Sequence, residues 1–147
     1  MEIKTIGFAS DHAGFALKNT LLNYMVAKGY VCHDFGTYSE ESCDYPDYAH
    51  LLARAVEGAQ VDRGIALCGT GNGIAMALNK HQGIRAAISW NEEMARLVRA
   101  HNDANILVLP ARFITSDEAK TMVDIFFSTS FDGGRHQRRI DKIPEPF

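Results

Sequence analysis

The chain has no excess of positive charge, no even set of cysteines and no long apolar run, and each absence removes a class of function. Lys and Arg number 15 against 18 Asp and Glu, a formal net charge of -3, so no overall positive field draws the chain to nucleic acid. No stretch of ~18 apolar residues occurs that would cross a membrane as a helix. Residues 1–9 lack both a basic leader and a long hydrophobic segment, so a cytoplasmic address is expected, with neither nucleic-acid nor membrane partners. Cys32, Cys43 and Cys68 form neither an even framework nor a C-x-x-C element, which argues against disulfides and a structural zinc. His33 and Asp34 follow Cys32 directly, but neighbouring side chains on a strand point to opposite faces and cannot share a metal.

What is present is the composition of a globular protein: 46% hydrophobic and 22% charged residues. A length of 147 residues suits one sizeable core, so a single domain over residues 1–147 is expected, with 132–147 as a basic C-terminal helix and tail.

Hydrophobic periodicity divides the chain into alternating strands and helices. Residues 3–9 read as a strand, and Leu17, Leu21, Leu22 and Met25 as one face of a helix ended by Gly29. Strand two is 30–35. Tyr48, Leu51, Leu52, Ala55 and Ala59 recur at helical spacing, with Pro46 in the first turn. Strand three is 64–68, the third helix 72–80 and strand four 84–88. Asn91 is placed to cap a helix containing Met94, Leu97 and Val98; strand five is 105–109; Ser116 is read as the cap of a helix carrying Ala119, Met122, Val123 and Phe126. Met76, Met94 and Met122 are assigned to helix faces in the core. Short apolar strands between amphipathic helices predict an open, doubly wound, Rossmann-like α/β sandwich of three layers around a five-stranded parallel sheet. Ligands of such folds gather beyond the C-terminal ends of the strands.

The chemistry concentrates where strand three ends. The run Gly64-Ile65-Ala66-Leu67 delivers Cys68 into the turn Gly69-Thr70-Gly71-Asn72-Gly73, and a helix opens immediately after it. A thiol beside converging backbone N–H groups pairs a base with a nest for developing negative charge, and a helix N-terminus favours thiolate over thiol. Asp11-His12 follows strand one and Arg112 follows strand five, so both fall at the same expected edge. In the tail, Arg135 and Arg139 are four residues apart and share a helix face on which one anion can be gripped, whereas Arg138 turns aside. Read alone, each of these has a plainer use. Cys68 serves as a small core residue, Asp11-His12 as a helix cap, Asn102-Asp103 as turn formers, and the arginines as a solvated patch.

Five segments in order, Asp11-His12-Ala13-Gly14, Asp44-Tyr45-Pro46, Cys68-Gly69-Thr70-Gly71, His101-Asn102-Asp103-Ala104-Asn105 and Gly133-Gly134-Arg135-His136-Gln137 followed by Arg139, resemble the ribose-5-phosphate isomerase B family over nearly the whole chain. That family also includes galactose-6-phosphate and allose-6-phosphate isomerases. The resemblance implies a doubly wound α/β fold, a dimer or tetramer, and catalysis without metal or nucleotide cofactor. If the fourth helix descends from the C-terminal end of strand four, His101 at its end lies toward the opposite edge of the sheet from Cys68, so a homodimer or dimer of dimers with active sites shared between subunits is expected. The resemblance also implies Cys68 as the base moving a proton between C1 and C2, with Gly69, Thr70, Gly71, Asn72 and Gly73 around the enediolate oxygen. It further implies His101 in ring opening, Asp11 and Asn102 on the sugar, and His12, Arg112, Arg135 and Arg139 on the phosphate; Tyr45 is read as either a packing residue or a sugar contact. Thr70 is grouped with Cys68 and His101 as catalytic. One branch of the family uses a glutamate farther along; here the corresponding Ala75-Met76-Ala77 carries no acid, which places the chain with the cysteine-base type.

Two other readings are weighed. A hexose phosphate would be isomerised by the same apparatus, specificity lying in pocket length. A nucleotide-binding regulatory module is suggested by the glycines, but they follow strand three, are spaced G-x-G-x-G, and lack the Gly-Lys-Ser/Thr ending of a P-loop.

Overall fold

The computed structural model describes residues 2–145; residue 1 and the end of the tail, 146–147, lie outside the described residues. Five strands, β1 (Thr5–Ser10), β2 (Val31–Asp34), β3 (Arg63–Cys68), β4 (Ala86–Ile88) and β5 (Ile106–Pro110), form one sheet in the order β2-β1-β3-β5-β4. Every pairing is parallel. Between and after them run α1 (Phe15–Ala27), α2 (Tyr45–Glu57), α3 (Asn72–Leu78), α4 (Glu92–Ala100), α5 (Ser116–Ser128) and a short α6 (Arg135–Ile140).

Parallel strands need crossovers, and these crossovers cover both faces of the sheet. On one face Leu21 and Met25 of α1, Ala95 and Val98 of α4, and Met122, Val123 and Phe126 of α5 pack with Ile6, Phe8, Ile65 and Leu107. On the other, Ala49, Leu52 and Ala53 of α2 and Ile74 and Leu78 of α3 pack on Ala9, Ala66, Ile106 and Val108. The expected three-layer architecture is therefore the observed one. No helix among the described residues is long and apolar enough to cross a membrane.

Local details depart from the sequence expectations where more than one phase or cap is available. Helix α2 buries Ala49, Leu52, Ala53 and Ala55, while Leu51 is 46% exposed and Ala59 lies past the helix end at φ 57°. Glycines in the sheet select this face: a Cβ on Gly7 would lie 2.6 Å from Leu52 Cδ1, so Leu52 seats where only glycine leaves room. Met76 is 68% exposed, because α3 buries Ile74, Ala75 and Leu78 and a residue two positions from Ile74 points away. The cap of α5 is Thr115 rather than Ser116. Thr115 Oγ1 accepts the Glu118 N–H at 3.1 Å and Glu118 Oε1 accepts the Thr115 N–H at 2.9 Å, a reciprocal pair that satisfies two helix-end donors. Asn91 does cap α4, accepting from Met94 N–H at 2.9 Å.

Candidate active site

β1 and β5, which flank β3, lead to helices on one face of the sheet, whereas β3 leads to α3 on the other. The chain therefore opens a crevice around the C-terminal tip of β3. Cys68 is the last residue of that strand and is 4% exposed. Its carbonyl accepts Ala111 N–H at 2.9 Å, and Gly69 O accepts Arg112 N–H at 3.1 Å, which locks the β3 and β5 turns together. Gly71, at φ 79°, caps α3 in a left-handed conformation that a side chain would disfavour. A Cβ on Gly73 would lie 2.5 Å from Tyr45 Cζ, so any side chain there would displace the tyrosine ring. Tyr45 thus lies over the glycine turn. Thr70 Oγ1 accepts Asn72 N–H at 3.2 Å and shapes the turn.

Asp11, His12, Cys43, Tyr45, Gly69 and Arg112 line one cavity of about 590 Å³ over this tip. Asp11 is 8% exposed, and its Oδ1 accepts the N–H groups of Ala13 and Gly14 at 3.0 and 3.1 Å; it shapes the entry to α1 and lines the cavity at once. Cys43 N–H donates to His12 Nδ1 at 3.2 Å. That assigns the ring proton of a neutral His12 to Nε2, leaving an N–H donor on the other side of the ring. Cys43 Sγ stands 3.9 Å from the same nitrogen; Cys43, to which sequence reasoning gave no role, lines this cavity. Cys32, away on β2, is pushed up to about 11 by burial and is a poor nucleophile.

A second cluster sits elsewhere. His101, Asn102, His136 and Arg139 line a separate cavity of about 270 Å³. Helix α4 runs back from the tip of β4, so its end returns to the edge of the sheet where strands begin: Asn105 O accepts Gly64 N–H at 3.0 Å, and Asn105 N–H donates to Arg85 O at 3.0 Å. Gly64 pairs with Ile106 and Cys68 with Pro110, a run of four residues or ~13 Å along the strand. Within one chain, Cys68 and His101 therefore stand at opposite ends of the sheet. The His101 and His136 rings stack at 4.1 Å and 12°, and His101 Nε2 is 4.0 Å from Asp132 Oδ2. Loss of solvent, then the charges of His101 and Arg135, hold His136 below the usual histidine range, while Asp132 opposes them.

Of the predicted residues, the structure brings Asp11, His12, Tyr45, residues 68–73 and Arg112 together at the tip of β3, and His101, Asn102 and Arg139 together at the opposite edge. Arg135 is exposed on α6 and lines neither cavity. Asp103 is a turn former: at φ 46° it is held by Arg99 at 2.7 Å and Arg85 at 3.3 Å. Arg99, 4% exposed, and fully buried Lys18 received no role from the sequence. Both follow the spacing of their helix's buried face, Lys18 with Leu21 and Met25 and Arg99 with Ala95, a signal available in the sequence. Lys18 Nζ reaches Asp34 Oδ1 and Thr37 O, each at 2.6 Å, and so anchors the loop that leads from β2 to Cys43 and Tyr45.

Comparison with known proteins gives the family. The family model described as Ribose/Galactose Isomerase matches residues 6–143. The chain belongs to that family. Among curated members, ribose-5-phosphate isomerase B of Escherichia coli is 44% identical over 141 residues, covering 96% of this chain and 95% of its own length. A crystal structure of a ribose 5-phosphate isomerase from Thermotoga maritima superposes with a TM-score of 0.95 at 54% identity, covering 97% of this chain and 99% of that one. The Mycoplasma genitalium ribose-5-phosphate isomerase B, solved with bound ribulose-5-phosphate, reaches a TM-score of 0.91 at 43% identity, with 97% and 95% covered. Ribose/galactose isomerase family membership thus extends over nearly the full length, including both clusters.

Proposed function

We propose that this chain interconverts D-ribose 5-phosphate and D-ribulose 5-phosphate through an enediolate, with Cys68 as base and without a metal. The observation that carries the reading is the buried Cys68 at the start of a glycine turn whose Gly69 lines a cavity with His12 and Arg112. Starting from the open aldose, the Cys68 thiolate takes the C2 proton. The electron pair moves to form the C1–C2 double bond, the carbonyl oxygen becomes the enediolate oxygen, and backbone N–H groups of residues 69–73 receive its charge. The thiol then returns the proton to C1 while the O2 hydroxyl proton passes to O1. Guanidinium and imidazole donors hold the phosphate, which fixes a small flexible sugar in register. Purified protein with excess chelator is expected to convert ribose 5-phosphate to ribulose 5-phosphate at its full rate. Turnover of a hexose phosphate alone would move the substrate to six carbons, and activity lost to chelator and restored by a metal would refute metal independence.

The separation of Cys68 from His101 supports a site shared across a homodimer, in which one subunit supplies the β3 tip and its partner the α4 end and α6. Mixing inactive Cys68→Ala and His101→Ala chains under subunit exchange is then expected to restore roughly a quarter of normal site capacity on ring-closed substrate, because half the random pairs are mixed and each has one intact site. Verified exchange with no recovered turnover places the whole site in single chains. In the same arrangement, Arg135→Ala and Arg139→Ala are expected to raise KM roughly tenfold each and to weaken inhibition by phosphorylated sugar acids, with Arg138→Ala close to wild type. Equal inhibitor affinity in all three variants would make α6 a solvated patch.

A further inference from the structure

We propose that His101, Asp132 and His136 form a binding site for a divalent transition-metal ion of the zinc type, and that an ion held there blocks turnover by occupying the ring-opening histidine. The binding rests on geometry alone; the block rests on the role given to His101 above. One ring nitrogen from each histidine and one carboxylate oxygen lie within 4.8 Å of one another, the sole such three-residue group among the described residues.

These three groups converge without satisfying each other. His101 Nε2 and Asp132 Oδ2 at 4.0 Å are too far apart for a hydrogen bond, and rings stacked face to face at 4.1 Å and 12° exchange none. The backbone that carries them is already set. Asp132 N–H donates to Ala100 O at 2.9 Å, which ties the loop between α5 and α6 to the α4 end, while His101 N–H to Leu97 O at 2.9 Å and His136 N–H to Gly133 O at 3.2 Å fix the two histidines locally. A tetrahedral ion with ligands at about 2.1 Å needs them ~3.4 Å apart. The remaining closure falls to side chains, and His101 and Asp132 are 40% and 59% exposed, free to rotate and tilt. Two imidazoles and one carboxylate select zinc, nickel or copper over magnesium or calcium, and leave a fourth position for water.

Arg135 and Arg139 on α6 repel a cation and favour a phosphate. The two occupants therefore exclude one another, so inhibition by the ion is expected to be competitive with sugar phosphate. This site is separate from any requirement for metal in the reaction: the ion is an inhibitor, and its removal restores turnover.

The test is calorimetric titration of the full-length chain with zinc chloride, alongside turnover of ribose 5-phosphate with and without zinc. One ion per chain is expected, with no heat from magnesium. Asp132→Asn and His136→Gln, both checked for native melting, are expected to weaken zinc binding at least tenfold, and Cys68→Ala to leave it unchanged. Wild-type affinity in both ligand variants, or loss of binding in Cys68→Ala, overturns the site and places zinc on the thiol. Zinc bound through the three residues with undiminished turnover overturns the block and with it the ring-opening role of His101. Absence of zinc binding overturns the site and leaves that role intact.

Discussion

Cys68→Ala is expected to lower kcat roughly 10³-fold, within the range by which a positioned general base accelerates proton transfer, while phosphate-dependent binding survives. The reason is spatial. The substitution removes one sulfur from the end of β3, where Cys68 is 4% exposed, and leaves His12, Arg112 and the backbone of residues 69–73 in place. Exchange of the substrate C1 and C2 protons with solvent should stop, and calorimetric affinity for a phosphorylated sugar acid should stay within about threefold of wild type. Cys43 is the rival thiol, because it lines the cavity with Asp11, His12 and Arg112. If Cys43→Ala stops exchange and Cys68→Ala does not, the base is Cys43. Cys32 serves as the remote control, its thiol pushed up to about 11 by burial.

The largest effect on stability is expected at Lys18. Its side chain is fully buried and ion-paired with Asp34, whose own side chain is 28% exposed, and its ammonium also donates to Thr37 O. Methionine fills much of the same volume but leaves Asp34 without its countercharge and the Thr37 carbonyl without its donor. Removing one partner of a buried pair costs about 3–5 kcal/mol; partial exposure of Asp34 and its remaining bond from Gly36 N–H place Lys18→Met at the lower end. At this chain length that is a fall in Tm of about 10 °C. Adding Asp34→Asn keeps an acceptor for Gly36 while deleting the stranded charge, so the double variant should regain at least ~1 kcal/mol. No recovery would mean that the loss is one of packing. Because the pair anchors the loop leading to Cys43 and Tyr45, KM should rise in Lys18→Met more than kcat falls; a melting curve identical to wild type would refute the anchoring role.

Local sequence carries information about the placing of Cys68 and much less about that of Lys18. Cys68 was legible because a four-residue apolar run ending in alternating glycines is a local pattern: strand, tight turn and helix start follow from backbone freedom and hydrophobic period. The same holds for the order of strands and helices and for the Asn91 cap. Lys18 and Arg99 were less legible, since a charged residue at a buried helical position reads as surface until its partners are known. Asp34 and Thr37 lie 16 and 19 residues from Lys18, and no periodicity links them.

The sequence by itself determined an α/β sheet protein with a thiol at a strand tip, because side-chain period, glycine freedom and capping act over a few residues. Tertiary structure alone decided which face of α2 is buried, since the glycine gaps that receive Leu52 belong to other strands. The division of the predicted site residues into two clusters at opposite ends of the sheet needed no tertiary information, only the alternation of strands and helices. That division follows from crossover direction: α4 starts at the tips of the strands and must return to their beginnings before β5 can run parallel, which carries His101 away from Cys68 whatever the local sequence around either residue.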